Sequence, residues 1–292
     1  MVHGEVWNVG RLLSWTADYL KRHGSQSPRL DAEVLLAESL DCERIDLYTR
    51  FDEEPDEAVR AALRDLVRRR AEGAPVAYLV GRREFFSRSF RVTPDVLVPR
   101  PETEHLVVAA IDLAKGVAGG AAVCDVGTGS GVIAVCLARQ VANCRVTAVD
   151  ISPAALRIAR ENTAAHGVED RIELLESDLL AALPEGRVFD LIVSNPPYVS
   201  QSEYDGLPAG IRLFEPRGAL VAGPRGTEII ERLLPQAAAR LADGGHLLIE
   251  VSPMIHDAVC RLIAADSRLL PQTTIKDLAG YPRVVSARKG HS

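Results

Sequence analysis

Apolar residues recur at helical spacing through Val9–Leu20, through Leu30–Leu40 and through Val59–Val67, which predicts three amphipathic helices near the start of the chain. Breaks fall at Gly24–Pro28, Asp41–Cys42 and Phe51–Pro55, and Pro55 suits the first turn of a helix. Segments of that kind bury their stripes against one another, so a small helical bundle is expected. The texture then changes. Glu84-Phe85-Phe86-Ser87-Arg88-Ser89-Phe90-Arg91-Val92 alternates around aromatics and predicts a short β-hairpin linking two domains. Pro94, Pro99 and Pro101 impose an extended, stiff segment after it.

From about residue 103 apolar strands alternate with amphipathic helices. The predicted strands are Ala122–Val126, Arg145–Val149, Ile172–Leu175, Asp190–Ser194, His246–Val251, Thr273–Lys276 and Arg283–Ala287. The predicted helices are Glu104–Lys115, Val132–Gln140, Pro153–His166 and Gly226–Leu241. Such alternation specifies an α/β fold, a parallel sheet with helices on both faces. The last two strands are joined by the turn-like Asp277–Pro282, so that pair is expected to be antiparallel.

With 47% hydrophobic and 25% charged residues the chain has enough apolar material for a packed core, which excludes disorder. No apolar run approaches the roughly 18–20 residues that cross a bilayer, and Met1–Arg11 lacks a signal peptide's layout. A soluble, cytoplasmic protein without a membrane partner is expected. Five scattered cysteines, never spaced as CxxC, argue against a disulfide framework or zinc site. Three of them lie in apolar stretches as buried small hydrophobes. Seven histidines form no HxxxH or HxH pair, so no metal site is expected. The net charge of −6 leaves neither half of the chain basic, which disfavours nucleic acid as a direct substrate.

Candidate chemistry begins at Asp125-Val126-Gly127-Thr128-Gly129-Ser130-Gly131, which follows the first parallel strand and opens a helix. The glycines permit positive φ and close approach of a ligand to backbone. The dinucleotide fingerprint is GxGxxG; here the third glycine comes one residue early, and Val132 takes the last position. A tight GxG turn behind an acid suits a ligand with an amino-acid end and a ribose but no phosphate, and S-adenosylmethionine is such a ligand. Asp150, ending the second strand, can accept both ribose hydroxyls. Asp178, after the third strand, can accept from the adenine amine. A nicotinamide dinucleotide and an ordinary strand–helix turn remain the competing readings of this loop.

Ser194-Asn195-Pro196-Pro197-Tyr198 follows the fourth strand, at the carboxyl edge where open α/β sheets bind ligands. Two prolines remove two donors, so the turn presents acceptors without competing N–H groups. The Asn195 side-chain oxygen and the Pro196 carbonyl can both point at one NH₂ group, and Tyr198 offers a flat wall to a planar substrate. An amide or aromatic amine nitrogen is a poor nucleophile because its lone pair is delocalised. Two acceptors on its hydrogens hold it and stabilise the positive charge that grows as it attacks a methyl-sulfonium carbon, each typically worth ~2.7–4 kcal/mol. No strong general base is required.

These stretches resemble the HemK/PrmC family of release factor glutamine N5-methyltransferases. The likeness extends to Leu97-Val98-Pro99-Arg100-Pro101-Glu102-Thr103-Glu104, Ala148–Pro153, Phe189–Tyr198, Glu215–Leu220 and Lys276–Gly280 with Arg283. Asp31–Ala37 and Pro75–Tyr78 resemble that family's helical domain and hinge, so the likeness covers nearly the whole chain. It implies a Rossmann-like seven-stranded S-adenosylmethionine-dependent methyltransferase domain preceded by a small helical bundle. It also implies methyl transfer to the glutamine amide of the Gly-Gly-Gln motif in peptide chain release factors.

By position, the resemblance assigns Gly127, Thr128, Gly129, Ser130, Gly131, Asp150, Asp178, Leu179 and Asn195 to the cofactor, with Leu179 against the adenine. Asn195, Pro196, Pro197 and Tyr198 bind the substrate amide, and Asn195, Pro196 and Tyr198 carry catalysis. Arg100 to Thr103 border the cofactor site, and Phe90 lines the substrate channel. Two stretches depart from the family pattern: Glu250-Val251-Ser252-Pro253-Met254-Ile255 replaces a Glu-His-Gly-x-x-Gln-like run, and Phe86-Ser87-Arg88 replaces an aromatic-Gly step.

The domains expected are a helical, partner-recognising residues 1–76, a hairpin linker 77–102 and a methyltransferase domain 103–292. The protein is expected to be a monomer. Trp7 and Trp15, on one helical face, are expected to pack in the core or between helices, and Arg68-Arg69-Arg70 to be a solvated helix end. Methylation of a ribosomal protein glutamine, methylation of adenine N6 in nucleic acid, and a non-catalytic module of the same fold are the alternatives.

Overall fold

The computed structural model describes residues 6–291, which fall into two compact units. The start of the Met1–Arg11 segment therefore lies outside the described residues. The first unit holds the residues up to Arg82 together with Ala209–Phe214, and the second holds Arg83–Pro208 and the chain from Glu215 onward.

The first unit is built from α1 (Val9–Arg22), α2 (Pro28–Ser39), α3 (Asp46–Thr49), α4 (Glu57–Ala71) and α5 (Val76–Leu79). Side chains close the helix starts as the sequence requires. Asn8 accepts from the Arg11 N–H at 2.9 Å and Asp56 from the Val59 N–H at 2.9 Å, while Pro28 opens α2. Val9, Leu12, Leu13 and Leu20 of α1 meet Leu35, Leu36, Leu63 and Val67 in one core. Trp7, half-buried, packs against this core as expected, and Trp15 does not. Trp15 is 38% exposed, stacks on Tyr19 and meets Trp7 edge-on, because position 15 flanks the buried stripe of α1. The arginine run does end α4, but it is not merely solvated: Arg68 pairs with Asp65 and Glu72, and Arg70 reaches Asp31 at 2.8 Å.

A hairpin of β1 (Arg82–Phe85), which starts on the last residue of the first unit's opening stretch, and β2 (Arg88–Arg91) comes next. Phe86 and Ser87 both take positive φ there, the geometry whose twist matches the flanking strands, and Glu104 accepts the Phe86 N–H at 2.9 Å. That anchor accounts for a hairpin without glycine. There follow α6 (Thr103–Lys115), β3 (Ala122–Val126), α7 (Val132–Gln140), β4 (Arg145–Asp150), α8 (Pro153–Ala165), β5 (Ile172–Glu176) and β6 (Phe189–Ser194). Next come β7 (Val199–Ser200), α9 (Gln201–Asp205), the first unit's α10 (Ala209–Arg212), β8 (Val221–Gly223), α11 (Glu228–Arg240) and β9 (Leu241–Glu250). The chain closes with α12 (His256–Ala265), β10 (Leu269–Pro271), β11 (Ile275–Lys276) and β12 (Pro282–Lys289).

Seven strands form the main sheet in the order β10-β12-β9-β6-β3-β4-β5, and β11 adds an eighth, short member on β12. β9, β6, β3, β4 and β5 run parallel; β12 is antiparallel to β9, and β10 and β11 are antiparallel to β12. The Rossmann-like seven-stranded expectation stands with one change of membership. The edge strand is Leu269–Pro271, and Thr273–Lys276 shrinks to the two residues of β11. A three-residue strand ending in proline and the helix α12 leave little periodic signal. Apolar cores cover both faces, one around Leu106, Ile133, Leu137 and Val146, the other around Ile192, Leu233, Leu247 and Val259. Cys124, Cys136 and Cys144 are buried in these cores. Among the described residues no helix is long and apolar enough to cross a membrane.

Candidate active site

The glycine loop is set by the strand before it and the helix after it. Asp125 is buried at the end of β3; one carboxyl oxygen accepts from the Thr128 hydroxyl at 2.7 Å and the other has no partner among the described residues. Burial, first of all, pushes its carboxyl up to about 7, against the downward pull of the Thr128 hydroxyl. The N–H groups of Gly127 and Thr128 both donate to the Val149 carbonyl, at 2.8 and 3.0 Å, folding the loop over the end of β4. Gly131 caps α7 at φ +83°, and a Cβ there would stand 3.3 Å from Ala159 of α8, so close helix packing demands glycine. At Gly127 and Gly129 nothing lies within 4 Å of a Cβ position, which leaves their backbone open to a ligand.

Asp150, half-buried at the end of β4, is held between loops. Its two oxygens accept from the Gly129 N–H and the Ser152 N–H, both at 2.9 Å. Burial raises its carboxyl while those donors pull it down. Each carboxylate oxygen has a second lone pair for hydroxyls. Ser130 is tied to the hairpin through Asn162, whose amide donates to the Ser130 and Arg91 carbonyls and accepts the Arg91 N–H. Asp178 is exposed and pairs with Arg232 at 2.5 Å, so its carboxylate is already engaged by a guanidinium. Leu179, at φ +53°, is half-buried beside it.

The Asn-Pro-Pro-Tyr turn emerges next to this loop by register. Ser194 of β6 lies opposite Val126 of β3, and the Ser194 hydroxyl donates to the Val126 carbonyl at 2.8 Å. Asn195 therefore leaves the sheet at the level of Gly127. Its Nδ2 donates to the Thr103 hydroxyl at 3.1 Å, and its Oδ1 takes no hydrogen bond among the described residues. Pro196 is buried, while Pro197 and Tyr198 are half-buried. Burial and then the charge of Glu250 raise the Tyr198 phenol, which stays neutral and cannot serve as a base. Gly226, at φ +83°, lies against the Tyr198 carbonyl; a Cβ would stand 2.7 Å from it.

The Arg100–Glu104 stretch supplies a rim in which each polar side chain has a task. Arg100 pairs at 2.6 Å with Glu215, which is buried and also accepts the Val98 N–H at 3.2 Å. Glu102 lies 3.9 Å from Arg283, itself paired with Asp277 at 2.8 Å. Thr103 holds Asn195, and Glu104 holds the hairpin turn. Phe90, expected in a channel wall, is instead wholly buried, edge-on to Phe85 and 4.7 Å from the His166 ring.

Sequence reasoning passed over one residue that belongs here. Glu250 ends β9 and is 1% exposed; burial pushes its carboxyl up to about 7, and one of its oxygens has no partner among the described residues. The signal was available. An acid closing the apolar run Leu247-Leu248-Ile249 resembles Asp150 closing β4.

A family profile described as PrmC N-terminal domain matches residues 11–81, and one described as methyltransferase small domain matches residues 105–215. The crystal structure of a methyltransferase from Pyrococcus furiosus has a TM-score of 0.52 with 21% identity over 71% of this chain and 91% of that one, a likeness of fold. The release factor glutamine methyltransferase of Koribacter versatilis is 44% identical over 93% of this chain and 95% of its own. That of Rhodopirellula baltica is 55% identical over 97% of each chain. A likeness that deep and that complete places the protein in the release factor glutamine methyltransferase family.

Proposed function

We propose that this chain transfers the methyl group of S-adenosylmethionine to the side-chain amide nitrogen, N5, of the glutamine in the Gly-Gly-Gln motif of peptide chain release factors. The observation that carries this reading is the register of Ser194 on Val126, which brings an acceptor-only turn out beside an open glycine loop. The loop suits the cofactor on its own chemistry: bare backbone at Gly127 and Gly129, a fixed carboxylate at Asp150 and an unpartnered buried oxygen on Asp125. Gly127–Gly131, Asp150 and Leu179 would hold it, with Asp178 contributing only by releasing or sharing Arg232.

When bound, S-adenosylmethionine supplies a methyl carbon on a sulfonium, an electrophile whose leaving group departs neutral. The chain's own residues prepare the nucleophile. The Asn195 Oδ1 and the Pro196 carbonyl accept the two amide N–H bonds of the glutamine. They fix its plane, and they draw positive charge toward themselves as the nitrogen lone pair is withdrawn from resonance. Tyr198 closes one face with an aromatic wall. The methylated nitrogen is far more acidic than a neutral amide and releases its proton to water, so no basic side chain is needed. The helical domain of residues 1–76 recognises the folded factor, 77–102 links it, and 103–292 performs the transfer, in a cytoplasmic monomer that acts on protein rather than nucleic acid.

Single-turnover transfer from labelled S-adenosylmethionine to a purified release factor tests this. A factor with the Gly-Gly-Gln glutamine replaced is the control. Label on the first and not on the second is the expected result. Label on neither, with cofactor bound, overturns the choice of substrate and turns attention to ribosomal protein glutamines.

A further inference from the structure

The order of the strands carries the cofactor outward across the sheet. The glycine loop stands at the end of β3 and the ribose acid Asp150 at the end of β4. The base continues to the end of β5, where the Ser177 N–H donates to the Asp150 carbonyl at 2.9 Å. There Leu179 stands at φ +53°, a left-handed conformation that leucine adopts only where its surroundings impose it. They belong to another element. The Arg232 guanidinium of α11 donates to the Asp178 carboxylate at 2.5 Å, and the Gln236 Oε1 accepts the Leu180 N–H at 3.0 Å. The two neighbours of the strained leucine are thus tied to residues four apart, on one side of a single helix.

We infer that Arg232 and Gln236 are positioning residues for the adenine of S-adenosylmethionine: from α11 they hold Asp178 and Leu180 so that Leu179 keeps the left-handed shape the base requires. The inference rests on the methyl-transfer reading and deepens its cofactor site by two residues.

The donor and acceptor inventory says which base such a loop prefers. Arg232 takes Asp178 Oδ2, while Oδ1 accepts from no group among the described residues and the Leu179 N–H donates to none. An acceptor beside a donor matches adenine, whose exocyclic amine donates and whose neighbouring ring nitrogen accepts. Hypoxanthine reverses both groups. The separation of the two protein groups is set by the backbone between Asp178 and Leu179, which is what α11 fixes. Gln236 is itself oriented: its Nε2 donates to the Arg232 carbonyl at 3.1 Å, which leaves Oε1 for Leu180. Leu180 is 2% exposed and packs in the core with Leu233 and Leu234 of α11. Without Gln236 the N–H of that buried residue lacks a partner, and rotation of Leu179 out of the left-handed region lets it find one. The Asp178–Arg232 pair is exposed and adds little to stability, so its service is direction. A guanidinium on one oxygen turns the other toward the amine.

The test is calorimetric titration of the full chain with S-adenosylhomocysteine and with S-inosylhomocysteine, its hypoxanthine counterpart. The ratio of the two affinities is the readout, because partial unfolding lowers both together and leaves it unchanged. Wild type is expected to prefer the adenine ligand by at least about tenfold, since two hydrogen bonds are reversed in the other. Gln236→Leu is expected to bind S-adenosylhomocysteine about tenfold more weakly and to bring the ratio to within about threefold of unity. Gln236→Glu, which still offers an oxygen to the Leu180 N–H, keeps the ratio. Arg232→Ala, at an exposed position where folding is not at stake, lowers it about two- to fivefold. A wild-type ratio in Gln236→Leu, or tighter S-adenosylhomocysteine binding by Arg232→Ala than by wild type, overturns the inference, as does equal affinity of the wild type for both ligands. Binding of neither ligand by the wild type overturns instead the function on which it rests.

Discussion

Replacing Asn195 by alanine isolates the acceptor turn from everything that builds it. The substitution deletes Oδ1, one of two acceptors on the glutamine amide, and leaves the Pro196 carbonyl in place. A preorganised hydrogen bond to a charge that develops during reaction is worth ~2.7–4 kcal/mol, so the single-turnover rate should fall by about 10²–10³. The structural cost is small by comparison. Thr103 loses one neutral, part-buried hydrogen bond of 3.1 Å, about 0.5–1.5 kcal/mol. The glycine loop is folded by hydrogen bonds to Val149 and Asp150, neither of which hydrogen-bonds Asn195, so cofactor affinity should stay within about twofold, since no bond worth ~1 kcal/mol is lost there. Rapid-quench transfer of labelled methyl, with calorimetric titration of S-adenosylhomocysteine on the same preparation, separates the two quantities. A variant that labels the release factor within threefold of wild type would refute the role given to Oδ1. Lost cofactor binding would show that the turn and the loop are not independent.

Three other perturbations probe the frame of the site. Asp125→Asn removes a buried acid whose pKa, at about 7, lies above its unfolded value; the folded state then binds more protons than the unfolded one between pH 4 and 7, and that acid's contribution to stability falls as pH rises. The melting temperature of the variant should therefore gain on wild type from pH 4 to 7.5 in parallel thermal scans, and a constant difference would count against the assignment. Gly131→Ala places a Cβ 3.3 Å from Ala159 at φ +83°, for a loss of about 1–2 kcal/mol in urea unfolding; an unchanged midpoint would mean that α7 and α8 part freely. Arg100→Ala leaves the buried Glu215 carboxylate with only the Val98 N–H, a cost of about 3 kcal/mol that Arg100→Ala with Glu215→Gln should partly recover; equal loss in both proteins would show that the ion pair is not the cause.

Much of the second unit was legible because its strands are buried on both faces and read as apolar runs closed by an acid, a glycine or an Asn-Pro. The glycine loop and the acceptor turn were visible for the same reason, since each combines residues that a plain turn does not need. What escaped depends on contacts that no local pattern encodes. Leu269–Pro271 is a strand only because β12 offers it a partner. Trp15 and Phe90 were misjudged in opposite directions. A tryptophan at helical spacing lies on the flank of its stripe, and a hairpin aromatic between exposed neighbours is the buried one. Asp178 kept its place after β5, yet the guanidinium of Arg232, distant in sequence, had already claimed it.

The pairing of Ser194 with Val126 also fixes a length. Donor loop and acceptor turn rise from adjacent strands of one sheet, whose separation of about 4.8 Å is a property of the hydrogen-bonded backbone and not of any side chain. The span between the two reacting partners is thus inherited from the spacing of the ladder. Surface loops and the helical unit can diverge to suit other protein partners without disturbing it, so in this architecture a change of client and a change of chemistry are separable events.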